Sequence, residues 1–160
     1  MTRPANPTPP PLAPYLVVED ANAAIDFYVR AFGAKELARQ TTPNGKKVVH
    51  AALEINGGML MLSDDFPELT GQSRTPQALG GSPVTIHLDL KDVDPVFAAA
   101  LEAGATVTMP LDDQFWGDRY GKLRDPFGHE WSLATRKRAP TQAELDAAGQ
   151  EHFGKTHGKS

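Results

Sequence analysis

Apolar positions along the chain alternate between a strand-like and a helix-like period. Residues 14–18 are a short apolar run that predicts a strand. Asp20 is then placed to cap a helix through Phe32, in which Ala24, Ile25, Tyr28 and Phe32 recur at helical spacing and Gly33 supplies the stop. Residues 35–41 and 47–55 read as strands around a Pro43-Asn44-Gly45 turn. Asn56-Gly57-Gly58 predicts a tight hairpin into a strand over 59–63. Residues 64–82, rich in Pro, Gly, Ser and Gln, read as one long loop, a length often used for lids.

The same order then returns. Residues 84–90 predict a strand. Asp92 caps a helix through Ala103, with Val93, Val96, Phe97, Ala100 and Leu101 on one face, and Gly104 ends it. Residues 106–109 read as a strand, 111–121 as a second loop, 122–124 as a short strand, Asp125-Pro126-Phe127-Gly128 as a turn, and 130–134 as the last strand. The helix starts, Asp20 and Asp92, are 72 residues apart. The stops, Gly33-Ala34 and Gly104-Ala105, are 71 apart, so the chain carries an internal repeat. Each half is β-α-β-β-β. One such sheet alone would leave a face uncovered, so the expected fold is α+β, with two βαβββ modules curving into a cupped mixed sheet around a shared cavity. The modules span 12–63 and 84–135, joined by a loop over 64–83, within a domain over 12–135. Five prolines in residues 1–11 predict an extended, disordered arm. The polar tail over 136–160 holds Thr141 and Glu144 at capping-box spacing before a short helix around 142–148.

Strand alternation selects candidate site residues. Thr85, His87 and Asp89 share one face of their strand, and Ile86, Leu88 and Leu90 share the other, which should meet the helices. The same parity places Tyr15, His50, Met59, Met61 and Glu130 on the cup side and sends Trp131 into the core. That is the mixed apolar and polar lining usual for small-molecule sites. His50, His87 and Glu130 could form a 2-His-1-carboxylate metal site, or one histidine could serve as a general base. Isolated histidines on strands more often bond to neighbours. Trp116 could stack on a planar ligand or close a dimer interface. Arg119 could bind an anionic ligand or pair with Asp112, Asp113 or Asp118, and Arg124 has the same two readings.

Composition narrows the classes. The 160 residues contain no cysteine, which excludes disulfides, thiolate metal sites and a cysteine nucleophile. A net charge of −4 without a basic run argues against nucleic acid. No apolar stretch approaches the ~18 residues of a membrane span, and the proline-rich start has no signal-peptide character. A cytoplasmic protein acting on a small molecule or another protein is expected. No nucleotide-binding glycine motif, zinc-protease motif or nucleophile elbow is present.

The stretch Pro14-Tyr15-Leu16-Val17-Val18-Glu19-Asp20, followed by Ala24-Ile25-Asp26-Phe27-Tyr28, resembles the opening of the vicinal oxygen chelate superfamily. That group includes glyoxalase I, extradiol dioxygenases, fosfomycin resistance enzymes and bleomycin-binding proteins. Asp125-Pro126-Phe127-Gly128-His129 is similar to its closing turn. The run from Asp113 to Arg119 through Phe115-Trp116-Gly117, with His50 and His87, resembles the PhnB-like branch. The resemblance covers about residues 12–135. It implies paired βαβββ modules, often two cups per dimer, and in the metal enzymes one ligand on each of four strands, where a divalent ion acts as a Lewis acid. In register, those four positions fall on Ala13, Met61, Thr85 and Ser132, none a good divalent ligand. The resemblance therefore implies a small-molecule binding protein, a homodimer expected to need no metal or other cofactor, with Tyr15, His50, Met61, His87, Trp116, Arg119 and Glu130 around the ligand. The alternatives are a divalent-metal-dependent lyase, isomerase or transferase of glyoxalase type using His50, His87 and Glu130, and an interaction protein whose cup is filled by its own side chains. Whether the chain is an enzyme stays open at this point.

Overall fold

The structure, a computed structural model, describes residues 6–157. The elements run β1 (Tyr15–Val18), α1 (Ala21–Phe32), β2 (Lys35–Thr41), β3 (Val48–Ile55), β4 (Gly58–Asp64), α2 (Pro67–Thr70), α3 (Pro76–Leu79), β5 (Thr85–Asp89), α4 (Val93–Glu102), β6 (Thr106–Asp113), β7 (Asp118–Arg124), β8 (Glu130–Arg136) and α5 (Gln142–His157). They form two four-stranded mixed sheets, β1-β4-β3-β2 and β5-β8-β7-β6, with the same order in each half. In each, the first strand runs parallel to the fourth and the remaining pairs are antiparallel. The α+β expectation and the repeat are both met.

Local chemistry accounts for the elements. Asp20 accepts the Ala23 N–H at 3.0 Å, and Gly33 ends α1 in the left-handed region. Asn56 and Gly57 both have positive φ, 51° and 81°, as a two-residue type I′ hairpin turn requires. Asp92 holds the N-cap position of α4 but makes no cap bond. The donor at the start of α4 is taken from another strand instead: Val93 N–H bonds Thr135 Oγ1 at 2.8 Å. The first module does the same, with Ala21 N–H bonding Asp64 Oδ1 at 3.0 Å. Asp64 closes β4 and Thr135 is the last residue but one of β8, at equivalent positions, so the repeat extends to individual hydrogen bonds.

Three sequence expectations need correction. The long loop over 64–82 holds two one-turn helices, each opened by a proline and closed by a left-handed glycine, Gly71 and Gly80. The second loop, 111–121, is mostly a hairpin of β6 and β7 turning over 114–117. Bulges between Val107 and Asp112, together with Pro110 in the edge strand, hide its alternation. The helix expected around 142–148 continues to His157, with the Glu151–Lys155 pair supporting its second half. Of the proline-rich arm, residues 1–5 lie outside the described residues. Residues 6–11 form no helix or strand, yet Thr8, Pro9 and Pro10 line a cavity against the first sheet.

One core serves both modules. It takes the helix-facing side of each sheet, including Leu16, Leu53, Leu62, Leu88, Leu123 and Leu133, and the buried faces of α1 and α4, which pack on each other. Its polar centre is Asp125, which is 3% exposed. Its Oδ2 accepts the Tyr28 hydroxyl at 2.6 Å and the Trp131 indole N–H at 2.9 Å, and its Oδ1 accepts the backbone N–H groups of Phe127 and His129. Tyr28 therefore ties the first module's helix to the second module's closing turn. Burial, reinforced by the neighbouring carboxylate, pushes its phenol well above the ordinary value of 10.0.

Candidate functional site

Because the core occupies the helix-facing side of each sheet, the opposite side of each looks outward. The predicted site residues divide between these two faces. On the first sheet, Tyr15 Oη lies 2.9 Å from His50 Nδ1, with ring centroids 5.6 Å apart, and Met61 stands beside Tyr15 in register. Tyr15 is half exposed. Burial raises its phenol above the ordinary value, opposed in part by the Ser63 hydroxyl.

On the second sheet, His87 Nδ1 lies 2.8 Å from Ser132 Oγ, and the His87 ring stacks with Tyr120 at a centroid distance of 6.2 Å. Trp116 meets Tyr120 edge-on at 5.4 Å and donates its indole N–H to Asp118 at 3.1 Å. Glu130 stands two residues before Ser132 on the same face, and its carboxylate accepts Arg124 Nε at 2.7 Å. Arg119 is held away from this group. Its Nε donates to both carboxylate oxygens of Asp94, at 3.0 and 3.1 Å, and its Nη1 reaches Asp113 at 3.3 Å. The sequence foresaw Asp113; Asp94, on the adjacent helix, completes the clamp. Those bonds, Asp94 first, hold the guanidinium above its ordinary range.

Tyr15, His50 and Met61 thus form one set, and His87, Trp116 and Glu130 another. Among the described residues no hydrogen bond, ion pair or ring contact joins the two sets. The single cup expected around all of them is not closed within one chain, since each sheet turns its own outward face away from the shared core. Within one chain, a metal held jointly by His50, His87 and Glu130 does not fit this arrangement. His50 belongs to a different sheet from the other two, and Glu130 is committed to Arg124. Among the described residues no three His, Asp or Glu side chains converge with metal-binding geometry.

The sequence reading placed Tyr120 in the expected loop and gave Lys122, at the start of its short strand over 122–124, no role at the site. Once β7 is a strand, Lys122 alternates with buried Gly121 and Leu123 and so shares the outward face. It also missed a cavity of 620 Å³ between the β3–β4 turn, the edge strand β5 and the arm, where Glu54, Met59, Leu60, His87 and Pro10 meet. Only His87 of the seven proposed ligand contacts reaches it.

No helix among the described residues is long and apolar enough to cross a membrane. Comparison with known proteins accords with the topology. An uncharacterized protein of Mycobacterium bovis, Mb0911c, is 57% identical over 140 residues, covering 87% of this chain and 91% of the relative. The crystal structure of TioX from Micromonospora sp. ML1 superimposes with a TM-score of 0.62 at 32% identity, covering 78% of this chain and 97% of that one. A PhnB protein from Bacillus cereus, at 22% identity and a TM-score of 0.58 over 79% of this chain and 99% of its own, shares the fold. The model of the Glyoxalase/Bleomycin resistance protein/Dioxygenase superfamily matches residues 11–133, and the chain belongs to that superfamily.

Proposed function

We propose that the protein is a cytoplasmic, homodimeric small-molecule binding protein that acts without a metal, its ligand held on the outward faces of the two sheets. The observation that carries this reading is the pair of open faces: Tyr15–His50 with Met61 on one sheet, and His87–Ser132 with Tyr120 on the other. Strands β1 and β5, which bear Tyr15 and His87, are the edge strands of their sheets. The outer edges of these strands already meet the other module within the chain, Asn56 on Asp89 O and His129 on Val17 O, so a second copy closes the cup face to face, the first sheet of one chain set against the second sheet of its partner. Fold alone does not set the ligand, because the same architecture hosts unrelated chemistries.

The test is a thermal-shift screen of small carboxylates, phosphonates, phenols and neutral aromatics, run alongside light scattering and elemental mass spectrometry after equilibration with Mn, Fe, Co, Ni and Zn. A dimer retaining no metal and stabilised by at least one compound class is the expected result. A monomer that no compound stabilises overturns the reading. About one metal per chain, lost in His87→Ala, transfers the protein to the metal-dependent lyase, isomerase or transferase class.

A further inference from the structure

We infer that the outward face of the second sheet is an anion-recognition surface, and that the ligand is a small oxyanion, carboxylate or phosphonate, borne on an aromatic or apolar body; this rests on the binding reading above. The argument comes from strand register. His87 on β5 and Lys122 on β7 are both paired with Ser132 on β8, the strand between them. The three side chains therefore form one row across three adjacent strands, about 4.8 Å apart from strand to strand. All three lie on the outward face, because Leu88, Leu123, Trp131 and Leu133, their chain neighbours, are buried in the core. The row offers an imidazole, a hydroxyl and an ammonium. Lys122 is half-buried and makes no ion pair or hydrogen bond to another described residue. His87 uses Nδ1 on Ser132, and its Nε2 makes no bond to a described residue.

Of the acids near this row, three are engaged elsewhere, while Glu54, which meets His87 at the cavity, and Asp112, paired with Tyr120, flank its ends. Glu130, one pairing step away, is bonded to Arg124. Asp118 faces the Trp116 indole and Arg136, and Asp113 faces Arg119. Asp89 lies two residues beyond His87, at the end of the edge strand. The Lys122 ammonium, with the His87 ring whose Nδ1 is taken by the buried Ser132 hydroxyl and whose Nε2 is free among the described residues, matches the acceptor oxygens of an oxyanion. Tyr120, stacked on His87 and flanked by Trp116, supplies the aromatic wall for the ligand body. On the first sheet the equivalent row of Tyr15, Met61 and Ala52 carries no cation, and Lys35 stands beside Glu54 on the far edge strand. Tyr15, Met59 and Met61 are uncharged, and His50 is engaged with Tyr15. An amphipathic anion, polar end on the second sheet and apolar end on the first, suits both faces.

The experiment is a titration of the full chain with benzoate and phenylphosphonate against neutral benzamide, followed by heteronuclear NMR at 50 and 300 mM NaCl. The two anions are expected to bind at least about tenfold more tightly than benzamide. They should shift the amides of residues 85–89, 118–124 and 130–136 and weaken at high salt. Lys122→Met should abolish the preference while retaining weak benzamide binding, and Lys122→Arg should retain it. Equal affinity for anion and amide, or a preference unchanged in Lys122→Met, overturns the inference and leaves small-molecule binding standing. Shifts at residues 8–14 and 54–60 with residues 118–124 unmoved overturn it by placing the ligand in the 620 Å³ cavity instead. If no probe binds and the wider screen also finds no ligand, both readings fail together.

Discussion

Replacing Tyr28 by phenylalanine tests the interior on which the two open faces depend. The substitution removes one hydroxyl and leaves the ring in place against Trp131 and Phe32. The Asp125 carboxylate then keeps the Trp131 indole and two backbone N–H groups but loses its shortest bond, at 2.6 Å. A hydrogen bond to a charged, buried group contributes about 1.5–3 kcal/mol. That figure governs here, rather than the larger cost of stranding a charge, because three donors remain. For a chain of this size the loss corresponds to a drop of about 3–12 °C in Tm. The measurement is equilibrium unfolding in guanidinium chloride, followed by tryptophan fluorescence. A loss below about 0.5 kcal/mol would refute the claim that this bond fastens the modules together.

The same residue carries a pH signature. Its folded pKa is raised, so above pH 10 the unfolded chain releases the Tyr28 proton while the folded chain keeps it. The native state then binds more protons, and stability falls as pH rises, by up to about 1.4 kcal/mol per pH unit from this group. The contribution is complete below pH 10 and fades above it. Tyr28→Phe should lose stability less steeply between pH 9 and 11 than the wild type. Identical slopes would show that the phenol is not held neutral by the fold.

Three further outcomes follow from the geometry. Gly121→Ala would bring a methyl group to 2.7 Å from Phe97 Cε2 and 3.0 Å from the Leu111 backbone, so thermal melts should report a loss of about 1–3 kcal/mol from overpacking. Thr135→Val keeps the shape but strands the first donor of α4, costing about 1–2 kcal/mol, and hydrogen exchange should show Val93 losing protection first. Absorbance at 295 nm should show Tyr15 ionising above its ordinary value in the folded protein, a late step that disappears in Tyr15→Phe.

Much of this architecture is legible from spacing, because its causes are local. The helix-capping Asp20, the left-handed Gly33 and the Asn56-Gly57 turn each act within a few residues. The β6–β7 hairpin is not legible, because its bulges and Pro110 break the two-residue period that would reveal it. Losing that hairpin also loses Tyr120, and with it the aromatic neighbour of His87. Parity correctly put Tyr15, His50, Met61, His87 and Glu130 outward and Trp131 inward. It could not say that the two outward sets belong to separate faces, since alternation fixes which side of a sheet a residue takes and not how two sheets are placed. Arg119 shows the same limit: Asp94, its principal partner, is 25 residues away on another element.

The repeat also explains where the molecule departs from symmetry. The β3–β4 turn reaches the edge of the second sheet through Asn56, whose amide donates to Asp89 O at 2.7 Å. The β7–β8 turn reaches the first sheet through His129, whose Nε2 lies 2.9 Å from Val17 O. Asp89 and Val17 are equivalent positions, 72 residues apart, so each module touches the other's edge strand at the same place. The cores beneath these contacts differ. The partner of Tyr28 by the same offset is Ala100. Strand register sets Glu54 against Met59 where the second module sets Arg124 against Glu130, so the position answering to Asp125 is Ile55, an apolar residue that lines the cavity. One side of the pseudo-symmetric junction is therefore filled by an aromatic ring on a buried carboxylate, while the other keeps a hollow. Over the filled side, α3 sets Pro76 against Gly128. Over the hollow side lie Thr8, Pro9 and Pro10. Part of the proline-rich arm thus takes the place in the first module that the linker helix takes in the second. A segment that composition alone marks as a loose end acquires a position because the fold is repeated, and the cavity beneath it exists because the packing is not.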